Sequence, residues 1–320
     1  MAGIKFKLPN TIRVKLNTSC QYKCKFCHQE GDVESGDINH LELASALRFF
    51  KDDLEIKRVH FTGGEPTLYG DFINILKDCK QNSLDCALTT NGQFDINKLP
   101  ELIKAGLGSI NFSLHAMDVY SFLKTQNFNG QIKEASVWAN DCLQRTLQNI
   151  IIANTMLPTK VNCVVGSEFI SSEEVLHFCI KNNLKLRLLN SLELGKEAVD
   201  NIERLIKKND ATMDGHEVTF LSSSHRLDYK IGSYEFGVKC IRSFYLQSIC
   251  QDCDLRKQGK CLECFYGLRL EGSPLKVRLC LSKNEKPFVQ SFDEFIKSKE
   301  YQEIKDIYNS VKNYLCHDAS

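Results

Sequence analysis

The sequence is short of several features that would settle its role at once. Its 320 residues carry 41 Lys and Arg against 40 Asp and Glu, a formal net charge of only +1. No surplus of one sign therefore argues for nucleic acid or a membrane surface as main partner. No apolar run approaches the roughly 20 residues that cross a bilayer. The opening MAGIKFKLPN lacks the apolar stretch of a secretory signal, which points to a cytoplasmic protein. Internal repeats and low-complexity tracts are absent as well. Against these absences stand 15 cysteines. Without a secretion signal, so many thiols indicate a reducing compartment and metal ligation rather than disulfides. The length suits one large domain plus a small appendage, and 42% hydrophobic residues suffice for a sizeable core.

Three of those cysteines, Cys20, Cys24 and Cys27, are spaced C-x3-C-x2-C just after a short alternating apolar run. Thiolates are the usual ligands of iron–sulfur clusters, and a four-iron cluster has four corners. A trio fills three and leaves one iron open to a ligand that is not protein. The competing reading is a zinc site completed by His28. About forty residues on stands Phe61-Thr62-Gly63-Gly64-Glu65-Pro66. Adjacent glycines let a backbone approach a ligand closely, and the glutamate can accept hydrogen bonds from an ammonium; alone, this is also an ordinary turn. Cluster and carboxylate together fit an amino acid that chelates iron through its amine and carboxylate.

In this order, each after an expected strand, the two motifs resemble those of the radical S-adenosylmethionine (radical SAM) superfamily. The resemblance implies a 4Fe–4S cluster on Cys20, Cys24 and Cys27, with S-adenosyl-L-methionine on its open iron and Glu65 anchoring the methionyl amine. It further implies reductive cleavage to a 5′-deoxyadenosyl radical that abstracts hydrogen, and a low-potential electron donor such as flavodoxin or ferredoxin. The cofactor carries that chemistry while the protein orients and shields it.

Strand-length apolar runs lie at Ile12–Leu16, Arg58–Thr62, Cys86–Thr89, Ser109–Leu114, Lys160–Val165 and Lys185–Leu189, with helical spacing between them. Such alternation reads as βαβ units and a parallel sheet. It matches the superfamily's α/β fold, a partial (βα)6 TIM-type barrel, here with a small C-terminal Cys-rich α+β domain. The expected divisions are 1–212 for the barrel, 213–290 for the auxiliary domain and 291–320 for a helical segment, with the polar stretch Asp210–Gly215 as boundary turn. Barrel chemistry gathers at the C-terminal ends of strands. There, Gly63, Gly64, Thr90, Asn91 and Ser113 resemble the family's cofactor-lining positions, although polar strand ends also cap helices. His115 reads as a histidine satisfying local backbone.

A second block runs Cys250-x2-Cys253-x7-Cys261-x2-Cys264-x15-Cys280. Five cysteines in so polar a stretch indicate metal binding. On spacing alone a closed zinc knuckle fits. The stretch Cys261 to Leu270, then Cys280-Leu281, resembles the auxiliary site of a short "twitch" domain. That implies a second 4Fe–4S cluster on Cys261, Cys264 and Cys280, with Cys250 or Cys253 as fourth ligand. Cys240 stands outside the block.

Within the superfamily the chain is most similar to the GTP 3′,8-cyclase family of molybdenum-cofactor synthesis. Arg13, Lys160, Arg187 and Arg269 match basic substrate positions, and such a set suits a polyanion. The departures are Tyr69 for a basic residue, Gly267 near a second arginine, and a tail ending Cys316-His317-Asp318-Ala319-Ser320 instead of a glycine pair. These point away from GTP. The expected activity is therefore lyase- or oxidoreductase-type C–H abstraction on a small anionic nucleotide-, sugar- or amino-acid-like metabolite. It would be followed by rearrangement, cyclisation or elimination. GTP cyclisation, peptide modification of the RiPP-maturation type and a non-catalytic zinc-stabilised binding protein are the alternatives. A leader-peptide-binding domain is not visible before the first strand.

Overall fold

The computed structural model describes residues 3–28, 36–127, 132–166 and 169–317; the side chains of the tail 316–320 lie outside that set. The strands are β1 (Ile4–Lys7), β2 (Thr11–Lys15), β3 (Arg58–Thr62), β4 (Asp85–Thr90), β5 (Leu107–Ser113), β6 (Thr159–Val165) and β7 (Lys185–Asn190). They continue with β8 (Thr212–Thr219), β9 (Ser224–Ile231), β10 (Tyr234–Ile241), β11 (Arg269–Glu271), β12 (Lys276–Arg278) and β13 (Val289–Ser291). All join one curled sheet in the order β1-β8-β9-β10-β7-β6-β5-β4-β3-β2-β11-β12-β13. Strands β2 to β7 pair in parallel, each followed by at least one helix, and form the (βα)6 half-barrel that the alternation predicted.

Side chains alternate across each strand, so a strand has two faces with different tasks. Ile12, Val14, Val59, Phe61, Cys86, Leu88, Ile110, Phe112, Val161, Cys163, Leu186 and Leu188 are all buried in the main core cluster. The intervening positions, Arg13, His60, Asn111, Lys160 and Arg187 among them, line cavities inside the barrel. The outer face is packed while the inner face is polar and open.

Helix His40–Leu54 illustrates how the outer layer forms. The Asn39 side chain caps it by accepting the N–H groups of Leu41 and Glu42 at 2.9 and 3.1 Å, satisfying donors that a helix start leaves over. Leu43, Ala46, Leu47, Phe50 and Leu54 supply its buried stripe. Phe50 meets Phe292, Phe295 and Tyr301 edge-on or tilted, with centroids 5.7, 6.4 and 6.2 Å away. This contact seats helix Lys299–His317, which is also tied to the first helix by Tyr301 and Lys305 on Asp53 and by Tyr308 and Lys312 on Glu55.

The half-barrel is extended at both edges by C-terminal sequence, with N-terminal β1 added outermost on one side. Beyond β7 come β10 in parallel, then antiparallel β9 and β8, then β1 parallel to β8. At the other edge β11 runs parallel to β2 with Arg269 opposite Arg13, and an antiparallel β12 and β13 follow. The expected boundary turn Asp210–Gly215 is mostly strand, because β8 begins at Thr212 and pairs with both β1 and β9. The final segment contains two helices, Phe292–Phe295 and Lys299–His317.

One buried ion pair organises the β11–β12 edge. Arg278 and Glu271 are 1% and 0% exposed and meet at 2.8 Å, while the other guanidinium nitrogen donates to Cys280 O, Lys283 O and Asn284 Oδ1. Removing one partner of a fully buried pair strands the other charge, at a cost of about 3–5 kcal/mol. Arg278→Met should therefore lower urea-unfolding stability by that order, and Arg278→Met with Glu271→Leu should recover much of it. Equal loss in both variants would show the pairing to be unimportant.

Candidate active site

The upper end of the barrel, where parallel strands terminate, is built by a close backbone approach. After β2, Leu16 N–H donates to Thr62 O, Gly64 N–H to Asn17 O and Glu65 N–H to Ser19 O, at 2.9, 2.8 and 2.7 Å. A Cβ on Gly64 would fall 2.2 Å from Ser19 O, and one on Gly63 would fall 2.6 Å from Asn17 Oδ1. The paired glycines are thus demanded by the chain leading into Cys20, while their backbone also lines the cavity.

Glu65 is the hub of this end. It is almost fully buried, yet Oε1 accepts Thr67 N–H, Thr67 Oγ1 and Thr90 Oγ1 at 3.2, 2.7 and 2.8 Å, and Oε2 accepts Asn91 N–H at 2.7 Å. Burial pushes its carboxyl upward and these donors pull it back. Among the described residues Oε2 has a single donor, and it keeps capacity for another. Asn91 in turn donates to Gln21 Oε1 at 3.0 Å and to Cys20 Sγ at 3.7 Å, so the carboxylate and the cysteine loop share one network. The Thr90 and Asn91 side chains are first of all internal struts.

Cys20, Cys24 and Cys27 all line the upper cavity, about 310 Å³, with His28, Gly63, Gly64, Glu65, Thr90, Asn91 and Ser113 on the same walls. Cys20 Sγ also accepts Tyr22 N–H at 3.4 Å, and Cys24 Sγ accepts Gln126 Nε2 at 3.3 Å. Burial pushes Cys24 up to about 12 and Cys20 upward. Thiols so disposed ionise when a metal's charge replaces their protons. His115 lies in the cavity wall, its Nδ1 accepting Val164 N–H at 3.0 Å. Burial holds it down to about 4, and neutral, which is the backbone role anticipated for it.

Below this the lumen continues as a second cavity of about 390 Å³. Arg13 and Arg187 border both spaces, Lys160 only the lower and Arg269 only the upper. Arg269 donates to Glu263 Oε1 at 2.6 Å and is therefore half of an ion pair. Burial, then Arg187 and Arg226, push Lys160 down to about 7. Tyr69 instead donates to Ile38 O at 2.8 Å, outside both cavities.

Several lumen residues escaped the sequence reading. His60, Lys239 and Tyr266 border both cavities, and Arg226 and Glu217 the lower one. His60 Nε2 lies 2.7 Å from Thr89 Oγ1 and 3.4 Å from Asn111 Nδ2. The Lys239 ammonium stands 3.9 Å from the Tyr266 ring centroid, with the Arg269 and Arg13 guanidinium carbons at 5.5 and 5.9 Å. Lys239 and the arginines hold the Tyr266 phenol down to about 8. His60 is the register partner of inward Arg13 and faces the lumen with it, a pairing that exists only once the sheet has formed.

The second block is gathered as well. Cys250, Cys253, Cys261, Cys264 and Cys280 border one cavity of about 20 Å³ with Ile249, Phe265, Leu279 and Phe288, while Cys240 stands apart. Burial pushes Cys250 up to about 12 and raises Cys261 and Cys280. Among the described residues, no three His, Cys, Asp or Glu side chains already converge closely enough to grip a single ion. Also among them, no helix is long and apolar enough to cross a membrane.

Residues 14–179 match the radical SAM superfamily. Over 271 residues the chain is 27% identical to a probable GTP 3′,8-cyclase of Sulfurisphaera tokodaii, spanning 80% of each protein. It is 34% identical over 190 residues to a namesake in Saccharolobus islandicus, spanning 57% of this chain and 56% of that one. Among solved structures, a histidine-tagged form of anSMEcpe with bound AdoMet superposes with a TM-score of 0.55 at 14% identity, covering 92% of this chain and 82% of that one. That likeness concerns the fold.

Glu65→Gln swaps one acceptor for a donor among fixed donors, and a buried polar group left unmatched costs about 1–3 kcal/mol. The variant should lose that much stability in denaturant titration, even before any metal is added; an unchanged midpoint would remove Glu65 as the hub.

Proposed function

This chain belongs to the radical SAM superfamily and is a radical SAM enzyme; on that premise we propose that it abstracts hydrogen from a small anionic metabolite bound in the barrel lumen. When bound, the four-iron cluster and S-adenosyl-L-methionine supply reductive cleavage to a 5′-deoxyadenosyl radical, using an electron from a donor such as flavodoxin or ferredoxin. Cys20, Cys24 and Cys27 would hold the cluster. Glu65 Oε2, fixed by the Asn91 N–H, would accept the methionyl ammonium, with Gly63, Gly64, Thr90, Asn91 and Ser113 around it. The carrying observation is that three thiols and this braced carboxylate border one cavity opening onto a cation-lined lumen.

The residues of the lumen bind and orient. Arg13, Arg187 and Lys160, joined by Lys239 and Arg226, favour an anionic group below the thiols, and Arg269 is placed by Glu263 at the upper wall. Residues 242–268 join β10 to β11, the strands that pair with the half-barrel's edge strands β7 and β2. Walling the lumen in this way excludes water and oxygen from a reactive intermediate. Residues 213–290 are read as an auxiliary unit that carries a second 4Fe–4S cluster on Cys261, Cys264 and Cys280. With Cys250 and Cys253 facing the same cavity, a fourth thiolate is at hand to close that site; zinc is the competing occupant.

GTP is the second reading, favoured by relatives named as probable GTP 3′,8-cyclases that align over most of this chain. Tyr69 bonded away from the cavities weighs against it. Anaerobic reconstitution should load about eight irons per chain for two four-iron clusters, about four if the second site holds zinc. Cys20→Ala should remove about four irons and abolish 5′-deoxyadenosine formation with dithionite. Undiminished cleavage in that variant would remove Cys20 from the cluster's ligands. Movement of label from GTP into deoxyadenosine would restore the cyclase.

Lys160 provides a pH signature. With its ammonium held down to about 7 by burial and by Arg187 and Arg226, it is charged below that pH and must take up a proton to meet an anion above it. The affinity for inorganic triphosphate or GTP should be level below pH 7 and fall by up to about tenfold per unit above it. Lys160→Met should bind more weakly in calorimetric titration and lose the fall that begins near pH 7, keeping only the decline above about pH 8 that ionisation of Tyr266 causes. A wild-type profile that is flat from pH 6 to 9 would exclude Lys160 from the anion site.

A further inference from the structure

The lower cavity reaches solvent at the end of the barrel opposite the thiols, where the parallel strands begin. Arg58 and Lys185 are the first residues of β3 and β7, Lys160 is the second of β6, and all three line that cavity. The side chains of Arg58 and Lys7 are 49% and 47% exposed, and Lys185 is exposed as well. Deeper in, Lys160, Arg187 and Arg13 are half-buried. The lining thus passes from exposed cations to enclosed ones. The outer charges are felt inside, since Lys185 and Arg58 add to burial, Arg187 and Arg226 in pushing the Lys160 ammonium down.

Acids do not cancel this set. Among the described residues the one acid lining the cavity is Glu217, 2.5 Å from the Lys7 ammonium and 3.7 Å from the Arg226 guanidinium. Beside the rim, Asp85 is 74% exposed and 3.9 Å from Arg58, a loose pair that water screens. Asp53 and Glu55 are taken up by Lys305 and Lys312 of the last helix. That helix contributes Ile304 and Tyr308 to the cavity's lining. The opposite lip is fixed by backbone: Asn10 O accepts the N–H groups of Lys57 and Arg58, both at 2.9 Å, and Lys57 O accepts Asp85 N–H at 2.8 Å.

At the other end the three thiols and Glu65 border the upper cavity, the space that cluster and cofactor would fill. The side of the half-barrel is crossed by residues 242–268, of which Phe265, Tyr266, Gly267 and Leu268 line the lower cavity. What is left as a way in is the end where the strands start. We propose that the anionic substrate enters and its product leaves through this lower mouth, with Arg58, Lys185 and Lys7 as a steering rim that hands the anion to Lys160, Arg187 and Arg13. The proposal rests on the anion-binding reading above and adds a route to it. Barrel enzymes gather their sites at the C-terminal ends of strands; here that end is given over to the cofactor, and the substrate arrives from the opposite one.

The test follows inorganic triphosphate exchanging with the reconstituted protein by phosphorus-31 NMR line shapes, which give its association and dissociation rates. An Arg58→Glu, Lys185→Glu variant is compared with Lys23→Glu, Lys25→Glu, an equal change of charge on exposed residues of the cysteine loop at the upper end. Steering by opposite charges raises association roughly 10- to 1,000-fold and fades with salt. The rim reversal should lower the association rate about tenfold or more, with little change in dissociation, and high salt should erase the difference. Arg58→Gln with Lys185→Gln should show a smaller slowing of the same kind. The Lys23, Lys25 reversal, and prior addition of S-adenosyl-L-methionine, should leave association unchanged. An association rate that survives the rim reversal would overturn the mouth. So would equal slowing by both reversals, which reduces the effect to net charge, or slowing by the upper reversal or the cofactor alone, which puts the entrance at the thiols. A wild type that binds no triphosphate would overturn the anion site itself and the mouth with it.

Discussion

A carboxylate removed from water must find donors, and the way Glu65 finds them organises the upper end of this barrel. Its partners come from its own turn and from the end of β4, so the carboxylate links the two elements. Asn91 passes the constraint to Cys20 and Gln21, and Asn17 Nδ2 returns it by donating to Glu65 O at 2.9 Å. The glycine pair is the steric half of the same device, since any side chain there would drive the cysteine-bearing segment away. Cluster loop and carboxylate are therefore fixed relative to one another by the protein before any ligand arrives, which is what preorganised chemistry requires.

The second constraint is charge kept inside a fold. Arg13, Lys160, Arg187, Arg226 and Lys239 share the lumen with Glu217 as the acidic neighbour in its lower part. Burial first, and then the like charges confined beside it, make Lys160 shed its proton more readily. Tyr266 answers in the opposite sense, its phenol made more acidic by the cations around it. A cavity lined this way is unfavourable when empty and improves on taking an anion. The cations come from β2, β6, β7, β9 and β10, so both the half-barrel and its C-terminal extension contribute.

Much of this was readable in the chain, for identifiable reasons. The trio and GGEP are local motifs whose spacing survives without tertiary context, and six strands followed by helices carry strong periodicity. Arg13 and Arg187 fall on inward phases of strands that the alternation located. The losses are equally physical. Strands β11 to β13 have three residues each, too few to display a period, and exist because a neighbour offers hydrogen bonds. His60 and Lys239 sit on strands where sequence shows two faces without saying which looks inward. Glu263 becomes visible only when Arg269 arrives beside it in space.

The sheet's edges carry a consequence for how the chain reaches this state. β2 has no partner on one side until β11 is available, and β1 none until β8, contacts separated by more than 200 residues. Loop-closure entropy opposes such pairings until the intervening core has condensed. During synthesis the N-terminal strands therefore wait with an open edge while the rest emerges, the situation in which nascent chains pair wrongly. Closing of both margins by late sequence gives the barrel two pairings of high contact order, the kind that form only after the intervening chain has condensed.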